Sequence, residues 1–168
     1  MSSATILSIR PEYARRILAK TKTIELRRSA MGLEPRDVVL VYISAPDQCL
    51  GFWFRVAKIE TLDVEEMWSR YHDRLGIERE PYLEYFDGAP SATGIHVADV
   101  HPLAPEIPLV EIRELVPDFV PPQGFIRVRE SIGRYEELLR RLSIPLPPDA
   151  FPQQLLFGGL SRAGGSRV

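Results

Sequence analysis

The chain has one cysteine, Cys49, which excludes an internal disulfide and any cysteine-rich zinc site. Set between Gln48 and Leu50-Gly51, that thiol is expected to pack within a strand rather than to act as a nucleophile. Histidine is nearly as scarce, the three being His72, His96 and His101. No cysteine or carboxylate pair stands beside them to complete a ligand set, and His96 and His101 fall on opposite faces of a continuous strand. Ordinary strand or surface histidines are therefore expected, with no metal and no cofactor. No apolar run approaches the roughly 18 to 20 residues that a membrane span needs. Met1-Ser2-Ser3-Ala4-Thr5 lacks the charged-then-apolar layout of a signal peptide. A cytoplasmic protein without a membrane partner is the expectation. Internal repeats are absent as well.

What is present is ordinary for a globular protein: 168 residues, 45% hydrophobic and 26% charged, enough for one domain with a sizeable core. The domain is expected over residues 1–142. A tail over 143–168 follows, in which Pro145, Pro147, Pro148 and Pro152 forbid regular structure and a Gly-rich end implies flexibility. Phe151, Leu155, Leu156 and Phe157 could dock from that tail as an apolar clamp. The net charge of -2 argues against a uniformly basic nucleic-acid binder, but the charge is unevenly spread. Residues 10–28 carry seven basic side chains against Glu12 and Glu25, a local +5, which leaves -7 for the rest. A basic binding face on an acidic body would give this asymmetry, and so would a solvated helix face.

Along the chain, residues 5–10 have strand character and end at Pro11. Pro11 then suits the first position of a helix over 11–20, with Tyr13, Ala14, Ile17 and Leu18 on its apolar side and Arg15, Arg16 and Lys20 largely exposed. A strand over 22–28 follows, and after a Gly32/Pro35 loop a nearly continuous apolar strand over 37–45 is suited to burial on both faces. Residues 48–59 make a long strand in which Gly51 marks a bulge or close approach. Asp63 is a good N-cap for a helix with Val64, Met67, Trp68 and Tyr71, and Glu66 would complete a capping box. A short helix over 80–86, a strand over 91–100, a short strand near 107–109, a helix over 109–115 and a last helix over 130–142 complete the pattern, with proline-rich breaks at 102–108 and 121–122. The aromatic residues Phe52, Trp53, Phe54, Trp68 and Tyr71 sit at core spacing. Strands interspersed with helices imply an α+β fold: a small, mostly antiparallel β-barrel with helices capping its open ends.

The segment Lys20-Thr21-Lys22-Thr23-Ile24-Glu25-Leu26-Arg27-Arg28 carries most of the chemistry. In a strand, Lys22, Ile24, Leu26 and Arg28 share one face while Thr23, Glu25 and Arg27 share the other. Lys22 has the character of a phosphate-binding cation or, if desolvated, of a base with a depressed pKa; a structural salt-bridge network with Glu25 and Arg27 is the competing reading. Glu25 beside Arg27 suits a base edge, the carboxylate accepting from an exocyclic amine and the guanidinium donating. Ser44 and Thr23 offer hydroxyls, but no histidine stands at a local spacing that would activate them. Arg127, Arg129, Arg134, Arg140 and Arg141 are offset by Glu130, Glu136 and Glu137, as on a solvated helix, though they could extend a phosphate track.

Lys20-x-Lys22-x-x-Glu25-x-Arg27 resembles the signature Gly-x-Lys-x-x-Glu-x-Arg of the ASCH domain, a branch of the PUA-like superfamily, with lysine at the glycine position. Residues 6–13 and 37–46 share the likeness, which runs from Ile6 to about Val128. Tyr85-Phe86-Asp87-Gly88 and Pro121-Pro122-Gln123-Gly124-Phe125 resemble segments of larger bacterial members read as transcriptional regulators. The resemblance implies a PUA-like barrel that binds RNA or modified nucleotides in a cleft between the first helix and the barrel. Some members are ribonucleases. A compact branch hydrolyses acylated cytidine with a Lys, Thr and Glu set, whose threonine position, three after the motif lysine, is Glu25 here. In such a cleft Tyr42 and Tyr85 would stack on an unpaired base and Gln123 would bond its edge.

The leading expectation is a non-catalytic module that recognises RNA, or single-stranded or modified nucleic acid, in that cleft. Its contact set is Arg10, Arg15, Arg16, Lys20, Lys22, Glu25, Arg27, Tyr42, Ser44, Tyr85 and Gln123. The second is an enzyme, a ribonuclease or a hydrolase of modified nucleosides, with Lys22 and Glu25 as catalytic residues. The third is a protein-interaction or regulatory domain using the acidic body and the 151–157 clamp. All three leave the oligomeric state open.

Overall fold

The computed structural model describes residues 4–128 and 132–144. Strand β1 (Ala4–Ile9) leads into helix α1 (Pro11–Leu18), and the edge strand β2 (Ile24–Arg27) precedes β3 (Val38–Ile43) and β4 (Cys49–Leu62). Helices α2 (Val64–Tyr71) and α3 (Arg79–Tyr85) are inserted before the long β5 (Ala92–Pro108); α4 (Leu109–Leu115), β6 (Phe125–Arg127) and α5 (Ile132–Arg141) follow. The strands form one six-stranded sheet in the order β2-β5-β4-β3-β1-β6, curled into a half-barrel. Among the described residues only the β1–β3 pairing is parallel. The expected α+β, mostly antiparallel barrel-like architecture is what the chain adopts.

Alternation explains how the sheet is covered. Ile6, Val38, Leu40 and Tyr42 face the cluster completed by Ile112, Phe119, Tyr135 and Leu138 of the α4–α5 side. Leu7, Ile9, Val39, Val41 and Ile43 face the opposite cluster, in which Ala14 and Ile17 of α1 pack. Strand β3 is thus buried on both faces, as its unbroken apolar run implies. A third cluster joins Ile24 and Leu26 of β2 to Met67, Leu75, Tyr82 and Phe86 of the α2–α3 insert. Among the described residues no helix is long and apolar enough to cross a membrane.

Four local expectations need correction. The strand over 91–100 does not stop at the prolines but continues as β5 to Pro108. Beyond His96 that strand has only β4 as a paired neighbour, so Pro102, Pro105 and Pro108 remove no ladder donor on the far side, and register shifts accommodate the excess residues. The sixth strand, β6, is absent from the sequence pattern because three residues beside β1 carry no periodicity. Asp63 caps α2 by accepting from the Glu65 N–H, whereas Glu66 pairs with Arg70 instead of closing a capping box. Finally, β2 begins at Ile24, so the alternation does not reach Lys22. The proline-rich region from 145 onward, including the clamp at Phe151, Leu155, Leu156 and Phe157, and with it most of the tail over 143–168, lies outside the described residues.

Candidate functional site

Helix α1 ends where its last carbonyls are met by the turn that follows. The Lys20 N–H donates to Ile17 O at 3.0 Å and the Thr21 N–H to Arg16 O at 2.9 Å, a Schellman pattern that requires a left-handed residue at Lys20, whose φ is 61°. The lysine therefore adopts the backbone that glycine favours at this point of the signature. Two residues later the chain turns inward, and Lys22 is left 3% exposed.

Its ammonium donates to Leu75 O at 2.7 Å and lies 3.4 Å from Glu25 Oε2. The other oxygen of Glu25 accepts from Arg27 Nη2 at 2.9 Å, and the same nitrogen donates to Ser8 O at 2.8 Å. The three charges of the signature thus form one buried chain, cation–carboxylate–cation, rather than occupying two faces of a strand as alternation would have it. Burial holds the Lys22 pKa below the ordinary lysine value, against the pull of Glu25 in the other direction. Tyr13 lies with its ring 5.5 Å from Lys22 Nζ.

This chain forms part of the wall of a cavity of about 730 Å³, in the range that holds a small-molecule ligand. Arg10, Tyr42, Ser44, Tyr85 and Gln123 line it together with Lys22, Glu25 and Arg27. The other predicted contacts lie outside. Arg15 pairs with Asp47 at 3.0 Å on the surface, Arg16 donates to Gly76 O at 2.5 Å, and Lys20 is exposed at its turn. Thr23 Oγ1 accepts from Arg74 Nε. Sequence reasoning missed Ser8, Tyr13, Gln48, Ile77, Pro81 and Glu84. Ser8 is a β1 residue, and its hydroxyl donates to Pro122 O at 2.6 Å and so ties the 121–123 wall to that strand. The Pro121-Pro122-Gln123 motif was the available signal for that wall.

Two polar atoms of the lining, Arg27 Nε and Tyr42 Oη, are buried with no hydrogen-bond partner among the described residues. Such groups are costly unless something pairs with them, and one is a donor while the other can donate or accept. Burial raises the hydroxyl pKa of Tyr13, Tyr42 and Tyr85, so these side chains act as neutral hydrogen-bonding groups. The cavity is therefore a concave site with aromatic walls and more basic than acidic side chains in its lining.

Elsewhere, His96 lies beside Glu60 at 3.5 Å, His101 stacks on Trp53, and His72 caps α2. No histidine is among the cavity lining, and no group of three His, Cys, Asp or Glu gathers among the described residues. Cys49 is buried, and burial together with the adjacent Glu106 carboxylate pushes its thiol up to about 12, which suits packing and not nucleophilic attack.

The model of the family described as ASCH domain matches residues 7–104, a span that includes the buried Lys22–Glu25–Arg27 chain. The chain belongs to the ASCH domain family. A relative from Zymomonas mobilis subsp. mobilis, named an ASCH domain-containing ribonuclease, is 30% identical over 127 residues, 75% of this chain and 84% of that protein. The crystal structure of ASCH from Zymomonas mobilis superimposes with a TM-score of 0.75 at 27% identity, covering 84% of this chain and 95% of that one. A tyrosine-to-phenylalanine mutant of the Zymomonas protein gives a TM-score of 0.75 at 26% identity, over 84% and 98% of the two chains. This ASCH domain departs from the family signature at Lys20 alone, and there the backbone keeps the left-handed turn.

Proposed function

We propose that this ASCH domain binds single-stranded RNA and cleaves it in the cavity walled by Lys22, Glu25 and Arg27. The observation that carries the reading is the buried Lys22–Glu25–Arg27 chain, two cations to one carboxylate, exposed to a cavity of nucleotide size. The ribonuclease name of the Zymomonas relative supports it. In the proposed step the ribose 2′-oxygen attacks the adjacent phosphorus, the bond from phosphorus to the 5′-oxygen breaks, and a cyclic phosphate and a 5′-hydroxyl result. Glu25 takes the proton from the 2′-hydroxyl. Arg27 and Arg10 offset the charge that develops on the phosphoryl oxygens, and the Lys22 ammonium, a stronger acid than an exposed lysine, protonates the departing 5′-oxygen. Tyr42, Tyr85 and Gln123 receive the base, which must be unstacked to reach them.

The experiment is cleavage of a short labelled RNA by the purified protein, its Lys22→Ala variant and its Glu25→Gln variant. Loss of rate by about 100-fold or more in both, with folding retained, is expected. Equal rates in all three proteins would sink the assignment.

One observation favours a second reading, a binding module without chemistry. Lys22 and both oxygens of Glu25 already have partners, which suits holding a ligand as well as turning it over. For that reading, RNA is recovered intact, and its affinity falls with salt by a slope that shrinks in Arg10→Ala.

A further inference from the structure

Lys22 is buried by a segment remote in sequence. Three successive carbonyls, those of Arg74, Leu75 and Gly76, accept hydrogen bonds from Lys22 and the residues around it, the last of them from Arg16 of α1. The Arg74 carbonyl accepts the N–H of Thr23 at 2.9 Å and of Ile24 at 3.3 Å, Leu75 O accepts Lys22 Nζ at 2.7 Å, and Gly76 O accepts Arg16 Nη1 at 2.5 Å. Arg74 Nε adds a bond to Thr23 Oγ1 at 3.0 Å, and the Leu75 side chain anchors the segment in the core beside Ile24, Met67 and Tyr82. Gly76 is the residue that lets this clip close. Its φ is +59°, and a Cβ there would stand 2.5 Å from Lys22 Cβ and 3.0 Å from Lys22 Cγ, closer than packed carbons approach.

We propose that Gly76 is a positioning residue for Lys22: its bare Cα lets the 74–76 carbonyls close flush on the lysine stem and fix the ammonium between Leu75 O and Glu25. Any side chain at 76 must lift the clip, lengthen the Leu75 contact and admit water to Lys22. The charged groups facing that ammonium are Glu25 and Arg27 of β2 and Arg16 of α1, with the Tyr13 ring over it; none of them belongs to the clip. Opening the clip therefore changes the solvation of Lys22 and frees Arg16 from Gly76 O, while Glu25 and Arg27, which the clip does not hold, keep their places. The importance of this for function rests on the RNA reading above, but the positioning itself does not.

The chain has three lysines, Lys20, Lys22 and Lys58, two of them exposed, so the titration of each is separable in the free protein. The test follows the lysine side-chain Cε and Nζ signals by NMR against pH, with Lys22→Arg to assign the buried one. In the unaltered protein Lys22 titrates below the ordinary lysine range. In Gly76→Ala its midpoint moves up toward the ordinary lysine range, and the amides of Thr23 and Ile24 lose protection from hydrogen exchange. Gly76→Asn is the companion variant, since asparagine tolerates a positive φ and adds only the crowding; it should move the midpoint the same way. A midpoint unmoved in Gly76→Asn, or in a folded Gly76→Ala, overturns the proposal. A midpoint that moves while RNA binding and cleavage are the same in Gly76→Asn, Lys22→Ala and the unaltered protein supports the clip and removes Lys22 from the RNA chemistry.

Discussion

Strands β3 and β2 are both held inside the molecule, by different means. All six residues of β3 are buried and uncharged, five of them aliphatic and the sixth Tyr42, with β1 and β4 on either side and packed layers above and below. β2 is a four-residue edge strand, and Ile24, Glu25 and Leu26 are as fully enclosed, yet every second side chain from Glu25 is charged. Its enclosure comes from the α2–α3 insert and the 74–76 clip rather than from the sheet. A strand buried by its sheet on both faces carries no charge, and the one polar side-chain atom that β3 keeps, Tyr42 Oη, reaches the cavity. A strand buried by an insert can retain ions, provided each finds a partner and one side faces a cavity.

The sharpest way to break the contrast is to remove the carboxylate. Glu25→Ala leaves Lys22 and Arg27 as buried cations without their shared anion, and should cost about 3 to 5 kcal/mol in denaturant unfolding while abolishing RNA cleavage. Leu40→Ala, in the centre of β3, should cost about 2 to 5 kcal/mol through the cavity it leaves, with the cleavage rate of the folded fraction unchanged. Similar stability losses with opposite effects on activity would uphold the distinction. Equal effects on both would collapse it.

A pH series sharpens it further. The folded-state pKa of Lys22 is depressed by burial, so between that lowered value and the ordinary lysine range the unfolded chain binds more protons than the folded one. Stability contributed at this position is penalised below the window and rises as pH climbs through it. The unfolding free energy of the unaltered protein minus that of Lys22→Met should accordingly increase from neutral pH to about pH 10. A flat difference would mean that the ammonium is solvated. The smallest effect is expected at the turn: Lys20→Gly relieves a left-handed φ of 61° and should stabilise by about 1 kcal/mol, read as a raised Tm.

The site was half legible in the sequence. Lys22, Glu25 and Arg27 stand within six residues and announce themselves by type and spacing, and the Pro-Pro-Gln motif pointed to the wall at Gln123. A salt-bridge network among them was one of the two readings the sequence offered for Lys22, and the structure has it, but the face on which they meet was not legible. Alternation set Lys22 and Glu25 on opposite faces because it presumed a strand starting at residue 22, and the start of a strand depends on where its neighbour begins to pair. The same dependence hid the true length of β5: proline ends a strand only where a neighbour needs its N–H. The partners of Arg15 and Arg16, Asp47 and the Gly76 carbonyl, lie 32 and 60 residues away and left no local signal.

By itself the sequence determined the apolar periodicities, and with them the α+β sheet and its two packed faces, because hydrophobic burial follows a local pattern of two or 3.6 residues. It also determined which charges are close along the chain. Only the tertiary structure decided which of those charges lost their water. Desolvation is set by atoms far apart in sequence, here the carbonyls of 74–76 and the insert above β2, and no local pattern encodes it.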